Sequence, residues 1–434
     1  MNTNDLLYRW SSQSLAEIEG QILNGDDREA MIHLLGTDTV TEIQALPFAP
    51  LHTGPREEVV LLPGIMGSLL SSIRGVTSLL WINPLLFLQG NARYLRLNSA
   101  GDSDESLEVE CVPIGLEKLT YLKISVLLNR QVNLREFPYD WRRRIEFNAD
   151  ILHASLERWA SQDPNLKFTL VAHSMGGLVS RTYMARHPQS AEKRIKRLIM
   201  LGTPNFGATN AIDTLFNGNS MMATADRVNK QNNMRELIYA LPSVYQLLPA
   251  PPHLFPPGYD YPANFNLYQA AEWKFDPIQQ KYLDSALALH QTLASSDPQV
   301  EHFVIAGCNI ETIAGVRLVD NQAASHLEIV KVKSGQDSGD GTVPLWSALL
   351  PAARCYFVQE HHRNLPANSR IIQATVDLIQ NGNCDLPTKL PPPKLLPFEV
   401  SPPQPLEIEA EELKSKIENG SASDQDLHNL FFAF

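Results

Sequence analysis

The 434-residue sequence predicts an α/β protein: a mostly parallel, doubly wound sheet, a helical cap or lid inserted into it, and helical extensions at both ends. Three observations carry that expectation. Apolar, β-rich runs alternate with helical stretches through the middle of the chain, the βαβα order of a sheet covered by helices. The runs at 168–172 and 198–201 show little polar alternation, as strands buried on both faces do. The chain is also longer than a single core usually fills, which leaves room for insertions.

Residues 1–50 read as an N-terminal helical extension. Leu15, Ile18 and Ile22, then Met31, Leu34 and Leu35, keep helical spacing around the turn signal "NGDD" at 24–27. The α/β domain is expected over 51–385. Its strands fall at 58–64, 132–138, 167–174, 195–204, 301–307 and 354–358, and its helices at 148–161, 176–187, 279–295 and 368–380. Residues 75–130 read as irregular, with "VTSLLWINPLLFLQG" as buried core or as the wall of a lipophilic pocket. Residues 205–278 break the rhythm with proline clusters and methionines, the mark of a cap within an insertion spanning about 205–298. The proline-rich stretch 386–405 reads as an extended linker. A C-terminal helical segment follows at 406–434, where Leu413, Ile417 and Asn419–Gly420 repeat the spacing of Ile18, Ile22 and Asn24–Gly25. The two ends are either copies of one small helical unit or unrelated surface helices.

A formal net charge of −12 argues against nucleic acid, which needs concentrated Lys and Arg. The densest basic run, "DWRRR" at 140–144, reads as a solvated face or as partners for nearby acids. The N-terminus has neither the basic nor the apolar region of a secretory leader, and no apolar run is long enough to span a bilayer. A cytoplasmic location is expected, with peripheral contact to membranes as its variant. Cys111, Cys308, Cys355 and Cys384 form no C-x-x-C pair, so they read as reduced thiols, with a Cys308–Cys355 pair left open. No metal or other cofactor is expected. The turn "DSGDG" lacks the ligands of a calcium loop.

The chemistry centres on "VAHSMGG" at 171–177. An apolar strand ends at Ser174 and a helix begins, the context of a nucleophile elbow. That turn crowds the positions two before and two after the serine, so Ala172 and Gly176 meet its need for small residues. A serine hydroxyl needs a base, and the base an acid. The expected chain order of serine, acid, histidine is met by Asp340 in "SGDGTVP" and by His361 or His362 in "VQEHHRNLP", with Asp337 as reserve acid. Oxyanion donors come from backbone amides. The N–H groups of Met175 and, in "LLPGIMGS", of Met66 are assigned, with Ile65 in reserve.

"LLPGIMGS", "FPYDWR", "AHSMGG", "LGTPNFG" and "GDGTVP" stand in an order that resembles the lecithin:cholesterol acyltransferase-like family of α/β-hydrolases, over roughly residues 57–382. The resemblance implies an α/β-hydrolase fold, Ser174 as nucleophile, Asp340 as acid and Met66 as an oxyanion amide. "HRN" matches the family's histidine best at His362, and Asp140 with Arg142 matches its structural pair beneath the site. The chain departs from the best-known members in lacking a leader and a cysteine pair in the cap. The function expected is a serine acyl hydrolase or acyltransferase acting on a lipid-like ester, with a protein partner for the terminal helices as a further expectation. Two rivals are a scaffold protein with a hydrolase-like body and a peptidase or amidase.

Overall fold

The computed structural model describes residues 9–45, 56–75, 79–81, 83–218, 220–295, 300–320, 325–351 and 353–393, with isolated positions 6, 412, 415, 416, 419 and 421. The N-terminal helices are α1 (Leu15–Asn24), α2 (Arg28–Leu35) and α3 (Thr37–Ala45). A capping box between Ser14 and Glu17 starts α1, and Gly25 in the left-handed region stops it. Ile18, Ile22, Val40 and Ile43 form one apolar cluster with Trp10, and that cluster closes on Leu122 and Val126 of the body. The apolar stripe of this segment is therefore spent on its own chain.

Strand β1 (Glu58–Leu62) is followed by a small antiparallel sheet of β2 (Ser68–Ser72), β3 (Leu79–Trp81) and β4 (Cys111–Leu116), in the order β3-β2-β4. Trp81 and Phe87 are fully buried, and Trp81 packs edge-on against Trp141 at 5.2 Å. Leu79, Leu80, Trp81, Leu86 and Phe87 of the 76–90 run are thus core. Helix α4 (Lys118–Asn129) comes next, in a region expected to be irregular. Then follow β5 (Asn133–Glu136), α5 (Ile145–Trp159), β6 (Phe168–His173), α6 (Met175–Arg186) and β7 (Ile195–Leu201). The insertion begins with α7 (Thr209–Asn217), runs through several short helices, and returns to the sheet through α8 (Gln280–Ala294). The chain ends its described body with β8 (Glu301–Gly307), the antiparallel hairpin β9 (Thr312–Asp320) and β10 (Ser325–Val332), β11 (Arg354–Val358) and α9 (Ser369–Asn381).

The main sheet is six-stranded and parallel, in the order β11-β8-β7-β6-β1-β5. All six strands expected from the sequence are in it. Their weak alternation has a simple cause. Val60 and Leu62 face the cluster containing α5, α6 and α8, while Val59 and Leu61 face the cluster of α4 and α9. Both faces are dry, so both want apolar side chains.

The strand order also locates the site. From β1 the chain goes to β5 on one side and later to β6 on the other. In open α/β sheets such a reversal opens a crevice at the carboxyl ends of the strands. The loops after β1 and β6 flank that crevice.

The start of the proline-rich stretch lies on the body. The Phe357 N–H donates to the Pro387 carbonyl at 2.8 Å, and Asn309 Nδ2 to the Pro391 carbonyl at 2.9 Å. The remainder of 386–405, and the helical segment expected at 406–434 apart from the isolated positions, lie outside the described residues. All four cysteines are free, so Cys308 and Cys355 do not pair.

Candidate active site

Strand β6 is buried at every position and delivers Ser174 to its carboxyl end. Ser174 has φ 53° and ψ −126°, an uncommon conformation for a residue with a side chain. Such strain costs of order 1–3 kcal/mol and persists only where the surroundings fix it. Here the Ser174 N–H donates to the Leu201 carbonyl at 2.9 Å, and the Gly177 N–H to the Ser174 carbonyl at 3.0 Å. The crowding expected around the turn is present. A Cβ on Gly176 would stand 2.5 Å from the Pro63 carbonyl oxygen, so only glycine fits there. Ala172 is fully buried within the main core cluster, where its methyl group is accommodated.

Ser174 Oγ lies 2.9 Å from His362 Nε2, and His362 Nδ1 lies 2.7 Å from Asp340 Oδ2. A carboxylate only accepts, so Nδ1 carries the imidazole proton and Nε2 is left to accept the serine hydroxyl. Asp340 is itself held. Its other oxygen, Oδ1, accepts the N–H groups of Thr342 at 3.0 Å and Val343 at 2.7 Å. The His362 N–H donates to the Asp340 carbonyl at 2.8 Å, which fixes the backbone of one to that of the other. The two reserves stand apart from this chain. His361 is exposed and Asp337 lines a separate cavity under the β9–β10 hairpin.

The loop after β1 turns tightly, with the Gly67 N–H donating to the Gly64 carbonyl at 3.1 Å. Met66 sits at φ 62° in that turn, and Trp81 Nε1 donates to its carbonyl at 2.7 Å. Among the described residues, the N–H groups of Ile65, Met66 and Met175 have no backbone acceptor. For Met175 this follows from its place at the first position of α6, where the amides have no partner within the helix. Gly64 touches the elbow: a Cβ there would come within 2.9 Å of the Ser174 Cβ.

A cavity of about 100 Å³ opens over Ser174 and His362. Ile65 and Met66 form one wall, and Ala208, Ala211, Val244 and Leu247 from the insertion form the roof. Thr120, Tyr121 and His173 line it as well, residues that sequence reasoning passed over. His173 stood inside the quoted elbow, and no spacing rule gives the residue before the nucleophile a role. Tyr121 lies on the helix that was not expected. Burial and the neighbouring His362 hold the His173 imidazole well below its ordinary pKa, so it is neutral. Burial also pushes the Tyr121 phenol well above its usual value.

Beneath the site, Arg142 is 1% exposed and makes a two-point contact to Asp140, with Nε–Oδ1 at 2.9 Å and Nη2–Oδ2 at 2.8 Å. It also reaches Asp104 and the Leu95 carbonyl, which ties the segment between β3 and β4 to the loop after β5. That is a structural arrangement, away from the cavity lining. Among the described residues, no group of three or more His, Cys, Asp or Glu side chains is placed to hold a metal, and no helix is long and apolar enough to cross a membrane.

The lecithin:cholesterol acyltransferase family model matches residues 126–279, which include the elbow and most of the insertion. The chain is 26% identical to lecithin-cholesterol acyltransferase-like 4 of Arabidopsis thaliana, over 57% of this chain and 56% of that protein. It is 28% identical to the phospholipase A(1) LCAT3 of the same organism, over 26% of this chain and 27% of that protein. It thus spans about half or less of the length of these relatives. Among solved structures, a Bacillus licheniformis lipase in its mature form is 14% identical, with a TM-score of 0.39, over 76% of this chain and 94% of that one. Motif order, sheet topology and the family model matched over residues 126–279 support the lecithin:cholesterol acyltransferase-like family of α/β-hydrolases.

Proposed function

We propose that this chain is a serine acyl hydrolase for lipid-like carboxylic esters. The observation that supports it most is the chain of hydrogen bonds Ser174–His362–Asp340 opening into an apolar cavity. In this reading Ser174 Oγ attacks the ester carbonyl carbon and its proton passes to His362 Nε2. Asp340 stabilises the imidazolium formed. The carbonyl oxygen, now negative, takes the N–H groups of Met66 and Met175. Collapse expels the alcohol, which receives the proton from His362, and leaves an acyl-Ser174. Water, deprotonated by His362, then attacks that ester and releases the acid.

An alcohol in place of water would make the same intermediate a transferase. Hydrolysis is placed ahead because water needs no site of its own. One relative is named a phospholipase A(1), so a diacyl phospholipid is the first natural ester to assay. A cytoplasmic location with peripheral membrane contact goes with the same reading, as does recruitment of a protein partner through residues 406–434. Removing residues 394–434, beyond the part that packs on the body, separates the two roles: unchanged turnover of a short ester with loss of a pulled-down partner would assign that end to recruitment.

The decisive experiment is labelling with a fluorophosphonate probe, alongside release of fatty acid from phospholipid vesicles and from p-nitrophenyl esters. Wild type is expected to label and to turn over both esters, and Ser174→Ala to do neither. Equal labelling of the two proteins would sink the reading. Turnover of anilides as fast as esters would favour an amidase.

A further inference from the structure

Three buried groups around the site take no part in the steps above. The Gly64 N–H donates to the Tyr121 hydroxyl oxygen at 2.8 Å. That hydroxyl lies 2.7 Å from His173 Nδ1. His173 Nε2 lies 3.1 Å from the carbonyl oxygen of His362. Tyr121 and His173 are 3% and 4% exposed, so solvent competes little for these bonds.

The direction of every proton in this series is fixed by elementary chemistry. A carbonyl can only accept, so His173 Nε2 must carry the hydrogen. A neutral imidazole then has a bare Nδ1, which accepts the single proton of the Tyr121 hydroxyl. The hydroxyl oxygen is left free to accept the Gly64 N–H. Each group is satisfied once, and no other tautomer satisfies all of them.

We propose that Tyr121 and His173 are positioning residues, a hydrogen-bonded strap that ties the oxyanion loop to the backbone of the base. The proposal rests on the acyl-hydrolase reading. At one end the strap holds Gly64, the residue that starts the turn carrying the Ile65 and Met66 amides. At the other it holds the His362 carbonyl, while Asp340 holds the His362 N–H from the opposite side. The donor that meets the developing charge and the base that takes the proton are thereby set relative to one another. The His173 and His362 rings are 4.9 Å apart, and a neutral strap adds no repulsion when His362 becomes charged. Gly67 shows how closely the phenol is seated, because a Cβ there would stand 2.8 Å from Tyr121 Cε2.

The test is Tyr121→Phe, which keeps the ring and removes the hydroxyl. The expected result is a kcat lower by about tenfold or more with KM within about twofold, since small misplacement of donors costs rate before binding. His173→Leu is expected to fall as far. His173→Gln, which retains one donor and one acceptor, is expected to recover part of the loss. The double variant Tyr121→Phe/His173→Leu is expected to cost no more than either single change, because one strap is cut twice. A boronic acid, whose tetrahedral adduct uses the oxyanion donors, is expected to lose affinity in step with kcat/KM, while a fatty-acid product does not. A merely structural tyrosine would lower the melting temperature without that parallel. A folded Tyr121→Phe with kcat within twofold of wild type would overturn the proposal.

If that variant does not fold, nitrogen NMR of labelled histidine in the wild-type protein decides. His173 is expected to carry its proton on Nε2 and none on Nδ1 at neutral pH. A proton on Nδ1 overturns the strap. This readout needs no turnover, whereas an active Ser174→Ala would overturn the acyl-hydrolase reading alone.

Discussion

Ser174 stands between two walls built on opposite terms. The floor consists of strand ends, the loops after them and the first turn of α4. Its groups are polar, buried and bonded in fixed directions: Asp340 to His362, Tyr121 to His173, Gly64 to Tyr121. The roof comes from the insertion and presents mainly apolar surface from Ala208, Ala211, Val244 and Leu247, with Asn210 and Thr214 as its polar positions. A hydrogen bond has a required geometry, and apolar contact largely does not. The comparison teaches that, on the acyl-hydrolase reading, the floor would fix where bonds are made and broken and the roof would select by volume. Substitutions in the floor should be felt in kcat, and those in the roof in which ester is preferred.

The largest effect should come from the nucleophile. Ser174→Ala is expected to lower kcat on a p-nitrophenyl ester by about 10⁶-fold, the scale seen when a triad serine is removed. A fall of less than a hundredfold would detach the floor from the chemistry. Asp340→Asn should cost about 10⁴-fold, because the amide no longer holds the base in the tautomer that accepts the serine proton. That variant is expected to bind a boronic acid far more weakly and to keep its fold, as judged by circular dichroism.

Acid distinguishes the walls in another way. Each contains a buried neutral histidine: His173 in the floor, and His290 on α8, whose Nε2 donates to the Leu248 carbonyl at 2.9 Å beneath the roof. Burial lowers the His290 imidazole to about 4. The unfolded chain takes up protons at about pH 6.5, so it is favoured as pH falls from there towards 4, and stability is complete only above about 6.5. Shifted from about 6.5 to about 4, His290 accounts for roughly 3 kcal/mol of that loss. In urea titrations, His290→Gln is expected to flatten the slope between pH 6.5 and 4. An unchanged slope would show that the roof is not anchored in this way.

The smallest effect is expected in the roof. Leu247→Ala should shift the preferred acyl length on a series of p-nitrophenyl esters by about tenfold in relative kcat/KM, with little change for the shortest member. A uniform fall along the series would mean that the roof acts on the chemistry, and the contrast between the walls would fail.

Much of the floor was legible in the sequence, and little of the strap. The central sheet strands announced themselves because both of their faces are dry, and Ser174, Asp340 and His362 stood in an order that the fold's topology imposes. Between the two histidines, residue reading had no basis for a choice, since adjacent loop positions differ only in direction. Helix α4 was missed because it is buried on nearly every side, from Thr120 through Leu128, and so has no polar face to give it a period. Tyr121 was lost with it. The β9–β10 hairpin was missed for the opposite reason: most of the described positions of β10 are exposed or half-buried, so no apolar alternation marks it. The insertion could be seen as a break in rhythm, but which of its residues reach the cavity depends on packing over long sequence distances.

The backbone at position 174 has one more consequence, for which nucleophiles this fold can accept. Threonine carries the same hydroxyl and would serve the same base. Its branched Cβ, however, makes a φ of 53° a severe outlier, whereas serine tolerates it and cysteine would too. The alphabet open to evolution at this site is therefore narrowed by torsion before reactivity is consulted. A chain of this fold can trade oxygen for sulphur at its elbow more readily than it can gain a methyl group.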